Sequence, residues 1–188
     1  MEAFWVSITT ISIAEIGDRT QLLSLLLAAR FRRPWPIIAG ILCATLANHG
    51  LAGFVGVWFG SLLKPRTLQV VVGISMVAMA LWTLKPDKLD ANAGASSAMG
   101  AFLATLTSFF IAEVGDKTQI ATLALAAAYP SLLAVVAGTT AGMMLANVPV
   151  VFLGKAFADR LPLKAIHLGA AALFVVLGVV FLMRALWR

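Results

Sequence analysis

Six apolar stretches divide this chain, and prolines mark the breaks between them. The stretches run near 4–28, 35–62, 67–84, 99–127, 131–153 and 164–186. Each is close to or above the roughly 20 residues a helix needs to cross a hydrocarbon core of about 30 Å. Pro34, Pro36, Pro65, Pro86, Pro130 and Pro162 fall at or beside the breaks, where a missing N–H costs least. Pro149 alone lies inside a stretch and marks a candidate kink. Composition says which solvent such a pattern suits. The 188 residues are 61% hydrophobic and 12% charged, with a mean hydropathy of +0.98, whereas a soluble domain is about a quarter charged. So little charge cannot cover that much apolar surface in water, but lipid leaves apolar side chains in place. A soluble enzyme, a nucleic-acid binder and a secreted disulfide scaffold are all poor fits. The pattern predicts an all-α integral membrane protein with six transmembrane helices.

Aromatic and basic residues sharpen that prediction. Trp5, Trp35, Trp58, Trp82, Trp187 and Tyr129 fall near the ends of the stretches, as in an interfacial belt. The net charge of +6 is then a loop property rather than a nucleic-acid footprint. Arg30, Arg32, Arg33, Lys85, Lys88, Lys155, Arg160 and Lys164 lie on one side, and Lys64, Arg66, Arg184 and Arg188 on the other. The positive-inside rule puts the first set in the cytoplasm and both termini outside. Glu2 precedes the first stretch, with no basic segment before it, so a cleavable leader is not expected. Cys43 is the only cysteine and reads as a small packed hydrophobe.

The chain is also duplicated. AEIGDRTQ at 14–21 returns as AEVGDKTQ at 112–119, an offset of 98 with six of eight residues identical. The register extends through Leu25/Leu123, Ala28/Ala126 and Gly40/Gly138, and LAN at 46–48 matches LAN at 145–147. Residues 1–84 form the first repeat, 85–98 a polar linker and 99–188 the second repeat. Three spans per repeat is an odd number, so the second copy enters the membrane from the opposite side. Two inverted-topology three-helix repeats follow, an architecture in which transporters place substrate at the repeat interface near the midplane.

Each motif brings charge to that depth. Glu15, Asp18 and Arg19 sit near the middle of the first stretch, and Glu113, Asp116 and Lys117 near the middle of the fourth. Ionised groups are costly there and face a cavity or one another. On a continuous helix Glu15 and Asp18 share a face, as do Glu113 and Asp116. Gln21 and Gln119 extend the polar strip, with Ser24 and Thr122 as its continuation, while Asn48 and Asn147 offer further oxygens from the second span of each repeat. Oxygen-only donor sets suit hard divalent cations. Four carboxylates with Arg19 and Lys117 leave a net −2, which one divalent ion or two protons would neutralise. Gly17 and Gly115 have two readings: a helix opening that frees backbone carbonyls, or close helix packing. Arg19 and Lys117 either lock the carboxylates or snorkel towards an interface. His49 and His167 read as interface or packing residues, with pH sensing as the alternative; His49 has no counterpart, since Val148 follows Asn147. An intramembrane aspartyl protease would need glycine where Glu15 and Glu113 stand.

The paired E-x-G-D-[KR]-T motifs, the run LLLAARFRRPWPIIAGILCATLANH at 25–49 and the linker resemble a family of small cation/proton exchangers. That family contains bacterial manganese exporters and Golgi manganese/calcium transporters. The resemblance implies Mn²⁺ export across the inner membrane of a bacterium, with protons as coupling ion and Ca²⁺ as an alternative substrate. It implies Glu15, Asp18, Glu113 and Asp116 as the essential ligands, with Thr20, Gln21, Thr118 and Gln119 in the same motifs. No resident cofactor is expected, the metal being cargo. An exporter of a small organic solute such as an amino acid is the competing reading, and oligomeric state stays open.

Overall fold

The computed structural model describes residues 1–84, 100–154 and 162–187, with the side chain of Leu163 left aside. Every regular element among them is helical. In chain order they are α1 (Glu2–Glu15), α2 (Arg19–Phe31), α3 (Pro34–Leu62), α4 (Pro65–Thr83), α5 (Ala101–Glu113), α6 (Lys117–Ala128), α7 (Leu132–Leu153) and α8 (Leu163–Leu186). Pro34 and Pro65 open α3 and α4, where proline's fixed φ favours the first turn. Pro149 lies within α7. The linker expected at 85–98, and Lys85, Lys88, Lys155 and Arg160, lie outside the described residues.

Four helices, α3, α4, α7 and α8, are long and apolar enough to cross a membrane. The first and fourth stretches differ from the continuous spans expected of them. Each is divided in two, at Ile16–Gly17 and at Val114–Gly115. Gly17 has φ 84° and Gly115 φ 76°, in the left-handed region that any side chain makes costly. The flanking residues are extended: Ile16 and Asp18 in one copy, Val114 and Asp116 in the other. Of the two readings of these glycines, the structure takes the opened helix.

Close packing is the role of a different glycine pair. A Cβ on Gly40 of α3 would lie 2.9 Å from the Phe102 carbonyl oxygen of α5, and one on Gly138 of α7 would lie 2.6 Å from the Phe4 carbonyl oxygen of α1. The two repeats are therefore interlocked: α1 lies against α7, α5 against α3, and α4 against α8. Phe109, Phe174, Phe181, Ile11, Leu23 and Leu125 are buried between the helices. Large apolar side chains such as Leu81, Ile111 and Leu133 face outward, as do all five tryptophans. Such a surface suits lipid. Cys43 also points outward rather than packing inside, because α3 turns its Gly40, Ile41 and Ala44 side to the core.

Candidate cation-binding site

The helix breaks put all four motif carboxylates at helix ends. Glu15 and Glu113 are the last residues of α1 and α5, and Asp18 and Asp116 are the N-caps of α2 and α6. A carboxylate is favourable at a helix N-terminus and unfavourable at a C-terminus, where it meets the negative end of the dipole. The two glutamates therefore need positive charge from elsewhere. All four acids are at most 1% exposed.

Folding brings the two copies together. One oxygen each from Glu15, Asp18 and Asp116 lies within 4.8 Å of the others. At about 4–5 Å each such pair repels by roughly 3–4 kcal/mol, taking an effective dielectric of about 20. The basic residues answer this repulsion crosswise. Arg19 Nη2 is 3.0 Å from Asp116 Oδ1, and Lys117 Nζ is 2.5 Å from Asp18 Oδ1. Each repeat thus supplies the counter-charge for the other's aspartate. Of the alternatives for Arg19 and Lys117, the structure takes the lock. Both oxygens of Glu15 are buried and make no hydrogen bond among the described residues.

The amide and hydroxyl residues brace this arrangement. Gln21 Oε1 accepts from the Gly17 N–H at 2.9 Å, and Gln119 Oε1 from the Gly115 N–H at 2.7 Å. Each break thereby keeps its exposed backbone donor satisfied. Gln21 Nε2 donates to the Ala146 carbonyl, and Gln119 Nε2 donates to Asn48 Oδ1. Asn48 donates to the Phe110 carbonyl, and Asn147 accepts from Ser24 at 2.7 Å. The asparagine and glutamine oxygens expected to face a cation therefore already hold protein donors. Thr118 Oγ1 stands 3.2 Å from both Glu113 Oε2 and Asp116 Oδ2, whereas buried Thr20 Oγ1 has no hydrogen-bond partner among the described residues. Thr122 bonds back to the Thr118 carbonyl.

Two groups, one at the site and one at an end of the bundle, escaped sequence reasoning. His49 of α3 is wholly buried, with Nε2 3.7 Å from Glu113 Oε2. Its one signal was the break in the LAN repeat, where Val148 stands opposite. A second cluster lies at the end carrying the N-terminus: Glu2 of α1, Tyr129 after α6, and Phe181 and Arg184 of α8. Tyr129 Oη lies 3.3 Å from Glu2 Oε1. Arg184 lies 3.5 Å from the same oxygen and sits over the Phe181 ring.

Among the described residues every element is helical, four helices are long enough for a membrane and a buried acidic cluster lies at paired helix breaks, which together have the makings of an ion transporter. Comparison with known proteins gives that class a family. The profile of the divalent cation/proton antiporter GDT1 matches residues 3–91 and 101–187, and the chain belongs to this family. A Vibrio cholerae protein named "Putative manganese exporter" is 52% identical over 179 residues, covering 95% of this chain and 89% of that one. A GDT1-like protein of Synechocystis is 29% identical, with 96% of each chain covered. The rice chloroplastic GDT1-like protein 2 is 28% identical over 94% of this chain and 59% of its own length. No solved structure matches.

Proposed function

We propose that this chain exports Mn²⁺ from the bacterial cytoplasm in exchange for protons, by alternating access between two inverted three-span repeats of the inner membrane. Glu15, Asp18, Glu113 and Asp116 hold the cation. The carrying observation is the oxygen triad of Glu15, Asp18 and Asp116, drawn from both repeats and buried. In this reading α1 with α2, and α5 with α6, each serve as one broken span, which supplies the count of six and the inversion. The net −2 of the six motif charges matches one divalent ion or two protons, and the cation loosens Arg19 and Lys117 from the aspartates as it enters. Membership of the GDT1 family and the 52% identical relative support divalent cation and proton as the exchanged pair.

The termini lie outside and the linker in the cytoplasm, following the basic loops. On that orientation the Glu2–Tyr129–Arg184 cluster closes the outer end. At the other end an apolar groove of about 580 Å³ lies between α2 and the end of α7, lined by Leu22, Leu25, Leu26 and Phe152 among others. The test is Mn²⁺ uptake into inside-out vesicles under an imposed proton gradient. Gradient-driven uptake that falls at least 100-fold in Glu15→Gln or Asp116→Asn is expected; uptake indifferent to both the gradient and the substitutions overturns the proposal. Ca²⁺ suits the same oxygen triad, so Ca²⁺ uptake in the same vesicles measures its rank.

A further inference from the structure

His49 is the residue at which the two repeats stop resembling each other. In the first repeat it follows Asn48, and in the second Val148 follows Asn147. Asn48 is held on both sides, donating to the Phe110 carbonyl of α5 at 3.1 Å and accepting from Gln119 of α6 at 3.4 Å. That grip sets His49 one residue on, against the end of α5. The imidazole is 0% exposed, and neither Nδ1 nor Nε2 has a hydrogen-bond partner among the described residues. A histidine buried only for bulk normally satisfies its ring N–H.

The geometry resembles two ligands facing a shared ion. His49 Nε2 lies 3.7 Å from Glu113 Oε2, too far for a hydrogen bond. Two donors bound at about 2.2 Å to one ion stand roughly 3.1–3.8 Å apart for bond angles between about 90° and 120°. The same Oε2 stands 3.2 Å from Thr118 Oγ1, which stands at the same distance from Asp116 Oδ2. The histidine–glutamate pair therefore stands beside the oxygen triad of Glu15, Asp18 and Asp116 and outside it, across the Thr118 hydroxyl, a second station for the same ion.

We propose that His49 is a nitrogen ligand of the transported cation, acting with Glu113, and that it sets the preference for a transition-metal dication over Ca²⁺. This rests on the exporter reading above. Calcium and magnesium take oxygen donors almost without exception, whereas an imidazole nitrogen adds affinity for first-row transition metals. One nitrogen in an otherwise oxygen-lined site tilts selection without removing the charge match.

The deciding measurement is electron spin-echo modulation on Mn²⁺ bound to the purified full chain. Wild type shows ¹⁴N coupling of the imidazole kind. It persists in His167→Gln, the other histidine being thereby excluded, and disappears in His49→Gln. In proteoliposomes, His49→Gln and His49→Ala raise KM for Mn²⁺ about tenfold relative to that for Ca²⁺. Bound Mn²⁺ without imidazole coupling in wild type overturns the ligand role and leaves the exporter reading standing. Wild-type protein that binds no Mn²⁺ overturns both. The wild-type spectrum decides even if a variant fails to fold, and KM values that rise equally for both cations show a structural role instead.

Discussion

Two motifs that differ at only two of eight positions sit in two different environments. Lys117 is 3% exposed beside Asp18, whereas Arg19 is 34% exposed beside Asp116. Thr118 contacts two carboxylates, while Thr20 is buried without a hydrogen-bond partner among the described residues. α6 is packed on α3 and α4, but α2 lies on α7 beside an apolar groove of about 580 Å³ and, among the described residues, makes no comparable contact with α8. The end carrying Glu2 is tied by Tyr129 and Arg184. At an offset of 98, the counterparts of Glu2 and Tyr129 are Gly100 and Phe31, which cannot make that bond. A near-symmetric sequence thus holds one asymmetric arrangement. In the alternating-access reading proposed above, the halves exchange these environments, and contacts such as Glu2 with Tyr129 bias which arrangement is held.

The largest expected effect concerns what the halves share. Asp18→Asn and Asp116→Asn should each reduce Mn²⁺ transport at least 100-fold, because both copies feed one site; flux assays in vesicles check this. Loss in one variant with full activity in the other would show that the halves are not equivalent in function. The next effect separates the halves. Lys117→Met removes a buried cation from crowded carboxylates and should destabilise the protein by about 3–5 kcal/mol. Arg19→Met, at a partly solvated pair, should cost about 1 kcal/mol or less. Thermal unfolding in detergent compares them, and equal losses would erase the distinction.

Gly115→Ala should cost about 1–2 kcal/mol, since a Cβ there meets nothing within 4 Å and the penalty is the backbone's alone. Gly115→Asn should recover part of that loss, asparagine tolerating the left-handed region better, again by thermal unfolding. The smallest effect belongs to the outer cluster. Tyr129→Phe removes one exposed hydrogen bond, worth about 0.5–1 kcal/mol. It should widen the spin-label distance between the start of α1 and the end of α6, measured in a Cys43→Ser background because Cys43 is exposed. An unchanged distance would show that the cluster does not hold that end closed.

Legibility in the sequence followed the range of the physics. The duplicated motif, its carboxylates and its bases could be read from order alone, because unpaired charge in an apolar run is costly wherever the chain goes. The breaks could not: glycine permits both a left-handed turn and close packing, and Gly17 and Gly40 resolve the choice oppositely. The amide oxygens of Gln21 and Gln119 were expected near a cation, but each takes the N–H four residues back that only an opened helix leaves free. His49 was read as packing because its neighbour Glu113 is 64 residues away in the chain.

The sequence by itself determined an apolar, twice-repeated helical chain with a small acidic centre, since hydrophobicity and charge burial act on residue types regardless of partners. Only the tertiary structure decided which residues answer one another. Arg19 reaches Asp116 and Lys117 reaches Asp18 because the repeats interlock, and His49 meets Glu113 because Asn48 is gripped between α5 and α6. These are distances between remote parts of the chain, set by packing rather than by local order.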